Sequence, residues 1–351
     1  MELRTAQKVA DEARRIGLEV HTGVGGHGVV AILRGARPGP LIAYRADMDA
    51  VASSAHDPVD FPSLNAGVRH ICGHDIHTTI ALALATALQQ VRDSLAGSVM
   101  FIFQPAEERA TGARAMLADG VFAAELPVAI YGLHTSPYEA GRMATTPGPM
   151  MAGRDRFEVL LSGSGDLGAA TAAVVQRLNA LGTIDVSQIG VPQPPDFVLV
   201  QLNQPQSLGG QVRLTGTVSV ASAASRQRVQ DAVRTGIGAT VPAGMTVAAT
   251  YEPRWVAGVS NDSLLTSTAA AAVRSALGDQ ALATVTTIPP AFSEDFGSFQ
   301  ERVPGVFFYL GVANAARGWS GLPHDADYIA DERAIVVGAT AMAAALVDRL
   351  R

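Results

Sequence analysis

The sequence predicts an α/β protein: a larger domain with a central mixed β-sheet flanked by helices, plus an inserted α+β unit of ferredoxin-like type. Three observations carry that prediction. The chain has 351 residues, beyond the length at which one hydrophobic core keeps growing, so two domains are expected. Up to Gly148 and again after about residue 255, apolar strands alternate with amphipathic helices, the pattern of a mixed or parallel sheet sandwiched by helices. Between those stretches the order becomes βαββαβ. The expected boundaries are 1–153 and 255–351 for the larger domain and 154–254 for the insertion.

Each element follows from local pattern. Val9, Ala13 and Ile16 share one face of an N-terminal helix that Gly17 closes. Strands are predicted at Leu18–His21, Val29–Leu33 and Leu41–Ala46, separated by Gly23-Val24-Gly25-Gly26 and Arg37-Pro38-Gly39-Pro40. Ile80, Leu84, Leu88 and Val91 give a helix over His77–Val91, and Ser98–Gln104 reads as a buried strand. A helix around Ala113–Ala118 and a strand over Val128–Leu133 follow. In the insertion, strands Phe157–Leu161, Phe197–Leu202, Val212–Val220 and Met245–Tyr251 surround helices near Gly168–Leu181 and Ser225–Ile237. Helix Leu264–Leu277, strand Gly305–Leu310 and a terminal helix from about Glu332 complete the chain.

Composition excludes several classes of partner. With 48% hydrophobic and 17% charged residues the chain is an ordinary globular one. A net charge of -6, with no runs of Lys or Arg, argues against nucleic acid and anionic membranes and for a small-molecule ligand. The first sixteen residues interleave charges with small apolar residues, unlike a secretory leader, and no apolar run approaches the ~18 residues of a membrane span. Cys72 is the single cysteine, so no internal disulfide can form, and a cytoplasmic setting is expected.

The densest chemistry lies in His70-Ile71-Cys72-Gly73-His74-Asp75-Ile76-His77. Thiolate and imidazole bind zinc-like divalent ions, and the glycine lets the backbone turn both toward one point. Asp75 could orient a ligand from behind. One cysteine or histidine alone is more often a packed core residue; four within eight residues overturn that prior. Phe103-Gln104-Pro105-Ala106-Glu107-Glu108 ends a strand in two adjacent carboxylates, one of which can bind metal while the other faces a reacting water. His134 closes Tyr131-Gly132-Leu133-His134, and His324 follows Leu322-Pro323. The segments Tyr44-Arg45-Ala46-Asp47-Met48-Asp49, a strand ending in charge, and Phe292-Ser293-Glu294-Asp295-Phe296 are compatible with supporting hydrogen bonds or with surface ion pairs.

In order along the chain, RADMDA, HICGHDIHTT, FQPAEE, YGLHTSP, FSEDF and GLPHDADY resemble the amidohydrolase branch of the aminoacylase and carboxypeptidase dinuclear metallopeptidase superfamily. That branch includes hippurate hydrolases, auxin-conjugate hydrolases and N-acetyldiaminopimelate deacetylases. The resemblance implies a catalytic domain interrupted by a lid or dimerisation domain, two divalent metal ions (zinc or manganese, with cobalt and nickel admitted), and an N-acyl amide substrate. It implies Cys72 as bridging ligand, His74, Glu108, His134 and His324 as the other ligands, and Glu107 as general base. Asp47, Asp75, His77 and Glu294 fall around the metals or substrate, and a homodimer is compatible with it. A dipeptidase or carboxypeptidase of the same superfamily is the alternative activity.

The resemblance breaks in the insertion. Where the family carries Gly-Gly-His-Gly-x-x-Pro-His, this chain runs Leu161-Ser162-Gly163-Ser164-Gly165-Asp166-Leu167-Gly168 directly into a helix. None of the eight histidines lies in the insertion. A lost oxyanion donor typically costs roughly 2.7–4 kcal/mol. A specialised substrate, or a metal protein with impaired catalysis, is the implied consequence.

Overall fold

The structure, a computed structural model, describes residues 2–351. Helix α1 (Leu3–Ile16) buries Val9, Ala10 and Ala13 and stops at Gly17, whose φ of 95° is left-handed. Strands β1 (Glu19–Val24), β2 (Gly28–Arg34) and β3 (Arg37–Asp47) precede helix α2 (His74–Gln90). Strand β4 (Ala96–Gln104), helix α3 (Gly112–Ala118) and strands β5 (Ile130–Glu139) and β6 (Met143–Thr145) follow. Next come β7 (Gly153–Gly163), α4 (Leu167–Asn179), β8 (Val198–Leu202), β9 (Gln211–Val220), α5 (Ala223–Asp231) and β10 (Met245–Val256). Helix α6 (Ser263–Leu277), strands β11 (Leu282–Thr284) and β12 (Gly305–Ala313), and helix α7 (Arg333–Arg349) end the chain.

Two compact units result: Met1–Gly148 with Ser260–Val285 and Ser298–Arg351, and Pro149–Val259 with Thr286–Gly297. The first is built on an eight-stranded mixed sheet of order β1-β2-β4-β3-β5-β12-β6-β11. Its centre, β4-β3-β5-β12, is parallel, and β1/β2, β2/β4 and β12/β6 pair antiparallel. Side chains alternate across this sheet. Ile42, Tyr44, Ala46, Phe101, Phe103 and Phe308 pack with Ala13 of α1, Leu84 of α2, Val273 of α6 and Ala341 of α7. Each such fully buried aliphatic or aromatic side chain contributes roughly 1.5–3 kcal/mol. The residues in between, Arg45, Asp47, Gln104 and His134, project from the other face near the carboxyl ends of the parallel strands, where open α/β sheets form their crevices.

The second unit has the antiparallel order β8-β9-β7-β10, with Gln206–Ser207 also pairing on β9. Phe157, Val159 and Leu161 meet Val174 and Leu178 of α4 and Val229 of α5 on one face.

Several boundaries depart from the local reading. Helix α2 starts at His74, three residues before the expected His77, because Gly73 (φ 83°) breaks the preceding chain. Strand β5 runs on to Glu139, so His134 lies within a strand, paired with Tyr309, and does not end one. Helix α5 ends at Asp231 and passes into one π turn, Ala232–Gly236. Thr286–Gly297 joins the second unit, although it lies outside the expected 154–254. Ile288 bridges Gln193, Ala291 N–H reaches the Ile189 carbonyl, and Arg154 donates to the Ala291 carbonyl at 2.6 Å. Tertiary pairing of this kind leaves no periodic signal in a short irregular segment.

Candidate metal centre

Strand β3 delivers Asp47 opposite Gln104 of β4. Arg45, buried on the same side, donates from Nε to Gln104 Oε1 at 2.8 Å and from Nη1 to Asp47 Oδ2 at 2.7 Å. The other Asp47 oxygen accepts from His77 Nδ1 at 2.6 Å. His77 Nε2 in turn accepts the Thr135 N–H at 2.8 Å. Burial pushes the His77 pKa down to about 3 despite the Asp47 charge, so the ring is neutral. Both its nitrogens are committed. His77 therefore links Asp47 to strand β5 and offers no lone pair to a metal.

His74 is different. Its Nδ1 donates to the Asp49 carbonyl at 2.9 Å and lies 3.2 Å from Asp49 Oδ1, which leaves Nε2 turned toward the acids. Nε2 is 3.6 Å from Asp47 Oδ2 and 3.8 Å from both Glu107 Oε2 and Glu108 Oε1, and has no hydrogen-bond partner. Burial lowers the pKa of His74, but the Asp47 charge and the Asp49 hydrogen bond outweigh it and carry it up to about 10. Four carboxylates around one ring demand a positive charge, which a proton or a metal cation can supply.

The Glu107-Glu108 turn is tightly determined. Ala106 and Ala110 adopt φ of 52° and 53°, and the N–H groups of Thr111 and Gly112 both reach the Ala106 carbonyl. A Cβ on Gly112 would meet the Pro105 carbonyl oxygen at 1.6 Å, so only glycine closes this turn. Glu108 N–H donates to Asp49 Oδ2 at 3.0 Å, and its Oε2 lies 3.2 Å from His324 Nε2. Burial raises the Glu108 carboxyl, but the His324 hydrogen bond and the His74 charge prevail and hold it below the usual range. Glu108 Oε1 is buried without a hydrogen-bond partner.

Cys72 sits between these groups. His134 donates from Nδ1 to the Thr135 carbonyl at 2.7 Å, which points Nε2 at Cys72 Sγ, 3.4 Å away. The Cys72 thiol is pushed well up by burial and by Glu108, Glu107 and Asp47. A divalent cation would reverse that shift. Gly73 is required next to it, because a Cβ there would meet Thr135 Oγ1 at 2.5 Å and Tyr328 OH at 2.6 Å.

The ligand atoms fall into groups lying within 4.8 Å of one another: Cys72, His74 and His134 form one, and Cys72, Glu108 and His324 another. The thiol is common to both. Soft sulfur, imidazole nitrogen and carboxylate oxygen, with partnerless lone pairs on His74 Nε2 and Glu108 Oε1, suit two zinc-like ions sharing Cys72. Glu107 Oε2 stays near His74 in a third such group with Glu108.

The remaining expected residues divide. Asp75 is exposed and accepts the Ile76 N–H at 3.0 Å inside the first turn of α2, where it complements the helix dipole. It makes no hydrogen bond to a ligand ring among the described contacts. Glu294 is buried in the second unit, where its Oε1 accepts the Phe296 N–H at 2.9 Å. Sequence reasoning passed over Asp49 as a distinct contributor, although the Asp-x-Asp alternation at a strand end marks it. Thr135 was also missed: its amide, carbonyl and hydroxyl bind His77, His134 and the Cys72 carbonyl. Backbone contacts of that kind carry no residue signature.

Comparison with known proteins agrees with this chemistry. Residues 43–348 match the profile of peptidase family M20/M25/M40. The chain is 30% identical to a thermostable carboxypeptidase of Saccharolobus solfataricus, over 97% of this chain and 89% of that one. It is 33% identical to an N-acetylcysteine deacetylase of Bacillus subtilis, over 88% and 82% of the respective chains. A crystal structure of a Bacillus subtilis protein, described as a dinuclear metal binding peptidase of the M20 family, superposes with a TM-score of 0.82 at 30% identity, covering 99% of this chain and 92% of that one.

Proposed function

The chain belongs to peptidase family M20/M25/M40, and on that premise we propose that it is a two-metal amidohydrolase that cleaves the amide bond of a small N-acylated amino acid. One observation carries the reading: Cys72 is shared between two donor groups, Cys72/His74/His134 and Cys72/Glu108/His324. When bound, the two divalent cations, zinc or manganese, supply Lewis acidity to the scissile carbonyl and a lowered pKa to the attacking water.

The chain's own residues do the rest. Glu107, 7% exposed and adjoining both groups, accepts the proton of the attacking water and returns it to the departing nitrogen, so that water and amide become acid and amine. Asp49 and Thr135 hold His74, Glu108 and His134 in the orientations that turn His74 Nε2, Glu108 Oε1 and His134 Nε2 toward the proposed metal positions. Asp47, pinned by Arg45 and His77, adds negative charge that retains cations. We read Pro149–Val259 as the family's lid or dimerisation domain, supported by its βαββαβ order. The histidine-free β7–α4 turn supports a specialised substrate. A cytoplasmic location goes with the single reduced cysteine, and no described helix is long and apolar enough to cross a membrane.

The relative named a carboxypeptidase favours a second reading, cleavage of a peptide bond at a C-terminal residue. The metal-loaded enzyme should be assayed on N-acetyl amino acids including N-acetylcysteine, on larger N-acyl amino acids, and on dipeptides. Turnover concentrated on a few acyl compounds is expected. Hydrolysis of dipeptides alone would establish the second reading, and rapid turnover of every simple acetyl amino acid would overturn the specialised substrate.

A further inference from the structure

Four of the five proposed ligands follow directly from elements that fix them: Cys72 and His74 at the head of α2, Glu108 in the turn after β4, and His134 within β5. His324 is the exception. It lies in an irregular loop with φ of 69°, and 46% of its side chain is exposed. A non-glycine residue keeps that conformation only where its surroundings impose it. One restraint is its own N–H, which donates to the Ile71 carbonyl at 2.7 Å.

Arg69 provides another. It is 3% exposed and ends the short strand Val68–Arg69, two residues before Ile71. Its Nη1 donates to the Ala326 carbonyl at 2.7 Å, two residues beyond His324, and its Nη2 lies 3.2 Å from Asp57 Oδ1. Asp57 in turn accepts the Ser63 N–H at 3.0 Å. The guanidinium therefore ties the His324 loop to the strand that leads into Cys72, and Asp57 braces it from behind. Arg69 Nε is buried without a hydrogen-bond partner. An apolar side chain would fill that space without burying a charge and an unmet donor. The two forked contacts are what an arginine adds there.

We propose that Arg69 is a positioning residue for one of the two metal positions, the one formed by Cys72, Glu108 and His324, and that Asp57 sets its orientation. The inference rests on the two-metal reading above. It is tested by titrating zinc into the metal-stripped full-length protein, with folding followed by circular dichroism and bound zinc by elemental analysis. The parent chain should take up two zinc ions. Arg69→Met should retain one tight site and bind the second zinc roughly 10- to 100-fold more weakly. Asp57→Asn, which leaves the guanidinium in place, should weaken the same site by a smaller factor, and it carries the test if Arg69→Met fails to fold. Equal weakening of both sites, or no change at either, would overturn the role of Arg69. Uptake of fewer than two ions by the parent chain would instead overturn the two-metal reading itself.

Discussion

Two buried polar networks, one in each unit, are closed in different ways. In the second unit, Asp155 accepts Arg226 Nε at 3.0–3.1 Å, Tyr251 OH at 2.7 Å and the Arg254 N–H at 2.7 Å, so both oxygens are fully used. In the first unit, Asp47, His77 and Thr135 are engaged in the same manner, yet they surround His74 Nε2, Glu108 Oε1 and Asp49 Oδ1, which have no hydrogen-bond partner. A buried network with every lone pair engaged specifies a fold. One that is saturated at its rim and open at its centre is a cradle for a ligand. All eight histidines belong to the first unit, which reinforces the contrast.

The largest separation between the networks should come from Glu107→Gln. Removing the proposed general base is expected to lower kcat by roughly 10²–10⁴-fold, about 3–5 kcal/mol, with zinc content unchanged by elemental analysis. Near-normal turnover would remove Glu107 from the reaction. Asp155→Ala should act the other way. It strands the Arg226 guanidinium and the Tyr251 hydroxyl, and should cost about 3–5 kcal/mol in chemical denaturation while zinc stoichiometry in the folded protein stays the same. Zinc loss without destabilisation would abolish the distinction drawn between the two networks.

Asp49→Ala tests the rim of the cradle. It removes the carboxylate from His74 and the Glu108 N–H, and zinc affinity should fall roughly 10- to 100-fold in a chelator competition. The smallest effect is a pH dependence. His74 has a folded pKa near 10 in the metal-free protein, above its ordinary 6.5. Its protonation therefore stabilises the metal-free fold in full below pH 6.5, and that contribution is lost as pH rises through about 10. A cation on Nε2 takes the place of the proton. The melting-temperature gap between zinc-loaded and metal-free protein should widen from pH 6.5 to 10, and a gap that stays constant would show that His74 Nε2 does not hold the ion.

Much of the candidate site is legible locally. Cys72, His74, Glu107, Glu108, His134 and His324 stand out because reactive side chains rarely crowd the ends of apolar strands and the head of a helix without a task. The roles of His77 and Asp75 were less legible. They sit two residues apart on the same helix, but one turns inward to bridge Asp47 and Thr135, and the other turns to solvent and its own backbone. The early start of α2 decides that difference, and Gly73, left-handed and crowded by Thr135 and Tyr328, decides the start.

By itself, then, the sequence carried the alternation of strands and helices and the choice of residues proposed to bind metal. Hydrophobic period and side-chain chemistry are local properties, and both are written along the chain. Only the tertiary structure decided which lone pairs remain open, that Asp49 joins His74 and Glu108, and that Thr286–Gly297 packs with the second unit. Each of those depends on distances between segments far apart in the chain. Strand register and loop closure fix such distances, and no single segment encodes them.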